Sequence, residues 1–357
     1  MVTILGRTLE VPIIQGGMGV GVSLGRLAGN VALCGGMGVI SMVNAGYREP
    51  DFEKKPLEAN IRALKREIKT AFNIAQGKGM IAINAMVAVN HYEELVKAAL
   101  EEGIDAVISG AGLPIILARM TKGTKTAAAP IVSSGKAAEL VCRSWDKKEG
   151  IVPDFIVIEG PKAGGHLGFS TEYLEKDVES SLDKLVPEVL QAIQPYEDKY
   201  GRKIPVFAAG GIFDGADAAR MERLGASGVQ IGTRFIATEE CDASEAYKQV
   251  ILAAKEEDVI IIDSPVGMPA RAINTSFLQK RKEGVTYPPL SCNRCLKACP
   301  GGTKTVYCIS RALIEAVKGN REEGLFFCGS NVGKITQMTT VKELMDSLKA
   351  EWEEEKR

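Results

Sequence analysis

Eight short apolar runs constrain this chain more than any other feature: Val11–Gln15, Gly38–Met42, Met80–Asn84, Ala106–Ser109, Ala129–Ser133, Phe155–Glu159, Val206–Ala209 and Val229–Gly232. Each is apolar on both faces, as a strand buried between two layers must be. Between them lie amphipathic segments such as Glu58–Ala75, Tyr92–Glu102, Leu182–Tyr200 and Ala216–Leu224, with Ser23 and Asp214 as expected N-caps. Such alternation predicts an α/β fold with a parallel sheet and crossover helices. Eight strands between Val11 and about Lys255 match the roughly 250 residues of a closed (β/α)8 TIM barrel. An open doubly wound sheet would carry a G-x-G-x-x-G turn after its first strand, and Gly16-Gly17-Met18-Gly19 does not fit that pattern.

Past Lys255 the alternation stops. A strand-like Val259–Ile262, a Pro-rich turn at Tyr287-Pro288-Pro289, a helix near Ser310–Lys318 and a charged terminal helix Val341–Arg357 follow. The expected organisation is therefore a barrel over residues 1–280 and a cysteine-containing, partly helical extension over 281–357 that packs on it. A net charge of −1 with 25% charged residues gives no electrostatic reason for nucleic acid or an anionic membrane as partner. The chain does not open on a basic stretch followed by an apolar run, and it lacks eighteen uninterrupted apolar residues, so a cytoplasmic protein is expected.

In such a barrel the working residues stand just after the strands. Here those positions hold Gln15-Gly16-Gly17-Met18, Asn84, Gly110-Ala111-Gly112, Ala163-Gly164-Gly165-His166, Ala208-Ala209-Gly210-Gly211 and Gln230-Ile231-Gly232-Thr233. Glycine turns after the seventh and eighth strands offer backbone N–H groups to a dianion, and Thr233 adds a hydroxyl. Facing glycines after the first and sixth strands let a flat ring come close, because no Cβ holds it away. Together these features point to a phosphorylated flat ligand, which flavin mononucleotide (FMN) fits. His166 is the histidine placed to move a proton there; His91 begins an amphipathic helix and reads as a solvated helix-start residue.

Pro12-Ile13-Ile14-Gln15-Gly16-Gly17-Met18, Ala163-Gly164-Gly165-His166-Leu167-Gly168, Ala208-Ala209-Gly210-Gly211-Ile212 and Gln230-Ile231-Gly232-Thr233-Arg234-Phe235 resemble the motifs of the nitronate monooxygenase family, formerly 2-nitropropane dioxygenases. The likeness covers most of Val11 to Phe277, and the same set is shared with the flavin-dependent enoyl-acyl-carrier-protein reductase of bacterial fatty-acid synthesis. The resemblance implies FMN in the barrel mouth, with the backbone near Gly17 and Met18 against the isoalloxazine and with Asn84 and Glu159 on ring or ribityl groups. It further implies close approach at Gly164 and Gly165, and phosphate held by Gly210, Gly211, Gly232 and Thr233 with Gln230 nearby. His166 would deprotonate a neutral nitroalkane. Glu159 stands where many relatives carry glutamine, and a carboxylate beside flavin needs a partner, for which Lys162 is the candidate.

The activity implied is oxidation of alkyl nitronates or nitroalkanes with O2 to a carbonyl compound and nitrite. The alternative is an NAD(P)H-dependent reductase of an enoyl thioester. Either way the partner is a small molecule, and the stretch Ser41–Pro56, with Tyr47 and Phe52, is a candidate lid or homo-oligomer interface. Cys292-x2-Cys295-x3-Cys299-Pro300, with Cys308 later, departs from the family pattern. Its spacing suits an iron–sulfur cluster or zinc, yet it lacks a C-x2-C-x2-C run and the second half of a zinc ribbon. The expectation is a reduced or redox-labile loop over the barrel without metal.

Overall fold

The computed structural model describes residues 1–176, 181–289, 291–299, 301 and 304–356. Its elements run β1 (Val2–Ile4), β2 (Arg7–Leu9), β3 (Ile13–Gln15), α1 (Gly25–Leu33), β4 (Met37–Ser41), α2 (Pro56–Ala75), β5 (Met80–Met86), α3 (Tyr92–Glu101) and β6 (Ala106–Gly110). Next come α4 (Leu117–Thr121), β7 (Ala127–Val132), α5 (Gly135–Glu149), β8 (Ile156–Glu159), β9 (Gly165–His166), α6 (Thr171–Leu174), α7 (Ser181–Tyr200), β10 (Val206–Ala209), α8 (Gly215–Arg223) and β11 (Gly228–Ile231). The chain continues through α9 (Thr233–Ile236), α10 (Glu245–Ala253), β12 (Val259–Asp263), β13 (Pro269–Ile273), α11 (Ser276–Lys282), α12 (Ile309–Val317) and α13 (Val341–Glu354).

Eight parallel strands close into a barrel in the order β10-β11-β3-β4-β5-β6-β7-β8, and all eight are the predicted runs within a few residues. Closure leaves no open edge, and the inward side chains form a packed interior. Phe155 and Phe207 meet edge to face at 5.7 Å there, and Ala82, Ala106, Ala127 and Ala129 make room for them. The β1–β2 hairpin inserts buried Ile4 and Leu9 into the same cluster, which plugs the end away from the mouth. Helices sheathe the outside with one apolar face each; α2 starts with Pro56 in its first turn and buries Ala59, Ala63, Leu64, Ile68 and Ala71.

Asp214 caps α8 as expected, accepting from the Asp217 amide at 2.9 Å. Ser23 does not cap α1. Asp242, from far along the chain, accepts from the Leu24 and Leu27 amides at 2.7 and 3.1 Å, while the Ser23 hydroxyl accepts from the Met18 amide at 2.7 Å. A remote carboxylate thus replaces the local cap.

Residues beyond the barrel are woven into it. β12 and β13 add β9 as a third antiparallel strand, with Ala270 opposite His166. α13 buries Val341, Leu344, Met345, Leu348 and Trp352 in the same cluster as Val206, Ala208 and Val229, and residue 280 falls inside α11. In Ser41–Pro56, Phe52 is buried and Tyr47 half-buried. Of the predicted features, Pro300 and Arg357 lie outside the described residues. No helix among the described residues is long and apolar enough to cross a membrane.

Candidate functional site

Because parallel strands all end at the same rim, the barrel brings Gly17, Met18, Asn84, Glu159, Gly164, Gly165, His166, Gly210, Gly211, Gln230, Gly232 and Thr233 to the wall of one cavity of about 250 Å3. Its glycines do different jobs. A Cβ on Gly17 would lie 2.3 Å from Cβ of Asn84, so glycine there lets the first turn settle over β5. Gly210 and Gly211 sit at φ +93° and +95°, which L side chains rarely adopt. Gly232 faces open space, with the Met18 sulfur 3.7 Å from where its Cβ would be.

The amides of Gly210, Gly211, Gly232 and Thr233 have no backbone acceptor among the described residues. Together with the half-buried Lys162 and Arg234, they make one end of the cavity a site for an anion. The N-terminus of α8 is not part of it. Asp214, Asp217 and Glu351 take the amides of Asp217, Phe213 and Gly215 at 2.9 Å each.

Three expected contacts are arranged differently. The Met18 amide is committed to Ser23, which leaves Met18 its side chain for the cavity. Gly164 abuts protein: a Cβ there would be 2.4 Å from the carbonyl carbon of Cys328, so its missing side chain admits the C-terminal segment. Lys162 forms no ion pair with Glu159 among the described residues, and its side chain lies instead against Gly211.

Glu159, at the end of β8, has no hydrogen-bond partner for its carboxylate among the described residues, and burial pushes it up to about 7. The folded state therefore holds a proton that the unfolded chain, near 4.5, has released, so stability is lost as pH rises from about 4.5 through 7. Glu159→Gln is expected to stabilise the cofactor-free protein by roughly 1–3 kcal/mol at pH 8 and not at pH 4. Urea unfolding at both pH values checks this; equal gains at the two would contradict it.

His166 is held by backbone and ring alike. β9 pairs with β13, Leu167 N–H donates to the Pro269 carbonyl at 2.8 Å, Nε2 lies 2.8 Å from the Ser264 hydroxyl, and the ring meets Phe327 edge-on at 5.2 Å. Burial draws its pKa down to about 4, so the imidazole is neutral at pH 7. It also borders a second cavity of about 70 Å3, whose wall includes Pro56, Leu57, Val89, Leu95, Val266 and Leu296. The two cavities share Val43, Met86, His166 and Leu313. His91 occupies the N-cap position of α3 without a side-chain cap; it is exposed, with its Nδ1 3.1 Å from the Glu94 carboxylate.

Sequence reasoning missed a whole wall. Phe327, Cys328, Gly329, Ser330 and Asn331 line the mouth and stitch its turns together. Gly329 N–H donates to the Thr233 hydroxyl at 2.8 Å, Ser330 N–H to the Lys162 carbonyl at 3.1 Å, and the Asn331 side-chain amide to the Gly211 carbonyl at 2.9 Å. Arg271 was missed too; it is buried and its guanidinium donates to the carbonyls of Pro161 and Ala163 at 2.6 and 2.5 Å. The available signal was a Gly-Ser-Asn turn directly after the apolar run Leu325–Cys328.

A family model described as nitronate monooxygenase matches residues 4–351. A probable nitronate monooxygenase of Staphylococcus haemolyticus is 30% identical over 300 residues, covering 77% of this chain and 78% of the relative. That of Staphylococcus saprophyticus is 29% identical over 303 residues, covering 77% and 79%. Among solved structures, FabK from Thermotoga maritima aligns with a TM-score of 0.70 at 28% identity, over 97% of this chain and 94% of that one. A nitroalkane oxidase from Streptomyces ansochromogenes shares the fold, with a TM-score of 0.71 at 20% identity over 98% and 97% of the two chains.

Proposed function

The chain belongs to the nitronate monooxygenase family, and from that premise we propose that it is an FMN-dependent oxidoreductase converting alkyl nitronates or nitroalkanes and O2 to carbonyl compounds and nitrite. The observation that carries the reading is a neutral imidazole at the junction of two cavities, one walled by glycine and ending in an anion site, the other apolar. FMN, when bound, supplies the electron-accepting centre. Gly210, Gly211, Gly232 and Thr233 would hold its phosphate through free amides, with Lys162 and Arg234 adding positive charge. The fit is favourable because Gly210, Gly211 and Gly232 put no side chain between their amides and the cavity, while Thr233 adds a hydroxyl to its wall. Gly17, Asn84, Glu159 and Gln230 would flank the ring and ribityl chain.

His166 has the remaining task. A nitroalkane with its α-carbon against Nδ1, the ring nitrogen that Ser264 does not hold, would lose its α-proton to the neutral ring, and the conjugate nitronate results. Ser264 and Phe327 hold the imidazole so that little reorganisation accompanies the transfer. The apolar second cavity favours substrates with a short hydrocarbon tail.

That same cavity is the specific support for a second reading, NAD(P)H-dependent reduction of an enoyl thioester, whose acyl chain would occupy it. Anaerobic mixing separates the two. Bleaching of the flavin band by a nitronate, with nitrite released when air is admitted and no comparable reduction by NADH, is the expected outcome. Rapid bleaching by NADH with turnover of crotonyl thioester would replace the first reading by the second, and a protein that neither carries nor takes up FMN would overturn both.

A further inference from the structure

Four of the five cysteines of the extension, Cys292, Cys295, Cys299 and Cys308, are close in sequence, and the fold brings the last of them back to the loop that holds the other three. Tyr287 N–H donates to the Val306 carbonyl at 2.9 Å and Cys308 N–H to the Tyr287 carbonyl at 3.0 Å, so a bridge between Tyr287 and Tyr307 returns Cys308 to the start of the loop. The Cys292 sulfur lies 3.2 Å from where a Cβ on Gly301 would stand, and the Cys299 sulfur is 3.5 Å from the Thr305 hydroxyl. The loop is also fastened to the barrel. Asn90 N–H donates to the Cys295 carbonyl at 2.9 Å, Lys297 N–H to the Ala88 carbonyl at 3.0 Å, and Val89 bridges Leu296.

Such a loop has little else to hold its interior. Residues 291–299 form no helix or strand beyond the bridge at Leu296, although Cys295 and Cys299 pack against the core. An irregular segment of this length in a compact protein usually has a function or a cross-link. All four thiols are free; burial raises the Cys295 thiol to about 11, and Cys308, Cys299 and Cys292 stand near enough to add to that rise. Cys308 stands at the N-cap of α12, so the start of that helix fixes where its side chain leaves the backbone.

We propose that Cys292, Cys295, Cys299 and Cys308 are the ligands of a four-iron, four-sulfide cluster seated between the extension and the loop after β5. No group of three His, Cys, Asp or Glu side chains among the described residues converges tightly enough for a single metal ion. Thiolates around tetrahedral zinc crowd to about 3.8 Å of one another, given a zinc–sulfur bond of about 2.3 Å. In a cluster each thiolate binds its own iron, so the set is wider. The site stands independently of the flavin reading, since none of its ligands lines the glycine-walled mouth. Cys295 does line the apolar second cavity, which places the cluster loop next to the substrate side of His166.

The test is full-length protein purified without oxygen, or reconstituted with ferrous iron and sulfide, and assayed for iron, acid-labile sulfide, zinc and flavin. About four iron and four sulfide per chain are expected, with an electron paramagnetic resonance signal after dithionite reduction. Cys295→Ser and Cys299→Ala should each lower iron at least tenfold while Cys34→Ala keeps it, and flavin content should not change. Should the two variants fail to fold, alkylation of the native wild-type protein decides: all four thiols are protected until iron is chelated. Zinc in place of iron, absence of any metal, iron retained in both variants, or four freely alkylated thiols would each overturn the assignment.

Discussion

Replacing His166 by alanine is expected to lower kcat/KM for a neutral nitroalkane by about 10²-fold or more, while the preformed nitronate, which has no proton to lose, is affected far less. FMN content should stay at the wild-type level, because the side chain borders the cavity at the substrate side and its backbone pairing with β13 does not need the ring. The pH dependence follows from the burial that draws His166 down to about 4. A base must be unprotonated, so the rate for neutral substrate should hold steady above about pH 5 and fall as pH drops through 4. An inflection near 7 would belong to Glu159, and Glu159→Gln would remove it. Equal turnover of nitroalkane by wild type and His166→Ala would remove the base role altogether.

Gly210→Val should be the most damaging single change at the anion end. At φ +93° a β-branched residue is strained, and its Cβ would lie 2.7 Å from the Gly160 carbonyl oxygen and 3.0 Å from the Ala163 nitrogen. Both neighbours are backbone, so the turn itself must shift and its amides lose their aim. FMN affinity should fall by at least 100-fold, about 2.7 kcal/mol. Gly232→Ala is the matched comparison, since the added methyl meets only the Met18 sulfur at 3.7 Å and the backbone conformation is ordinary. Fluorescence titration of cofactor-free protein with FMN measures both, with circular dichroism as a check on folding. Tight FMN binding by Gly210→Val would mean that this turn does not grip the phosphate.

How much of this was readable beforehand depends on how local each feature is. The strands were readable because a strand covered on both faces must be apolar throughout, and Gly165, Gly210 and Gly211 because a tight turn at positive φ admits little else. Asp214 was readable as a cap because its hydrogen bond spans three residues. Ser23 looked like a cap for the same reason, yet Asp242 supplies the acceptor from across the fold, and nothing near α1 announces it. Gly164 showed that glycine was needed without showing why. What occupies its side-chain space is Cys328, brought there by the pairing of Phe327 with Ala272.

From residue order alone came the barrel, its mouth and the set of residues around it, since eight alternating units oblige every strand to end on one rim and so gather the turns whatever the loops do. Only the tertiary structure decided which amides remain free, that Lys162 leans on Gly211 and not on Glu159, and that the segment 327–331 closes the wall. Those outcomes depend on contacts between distant parts of the chain, which leave no periodic trace in sequence and exist only once the barrel has closed.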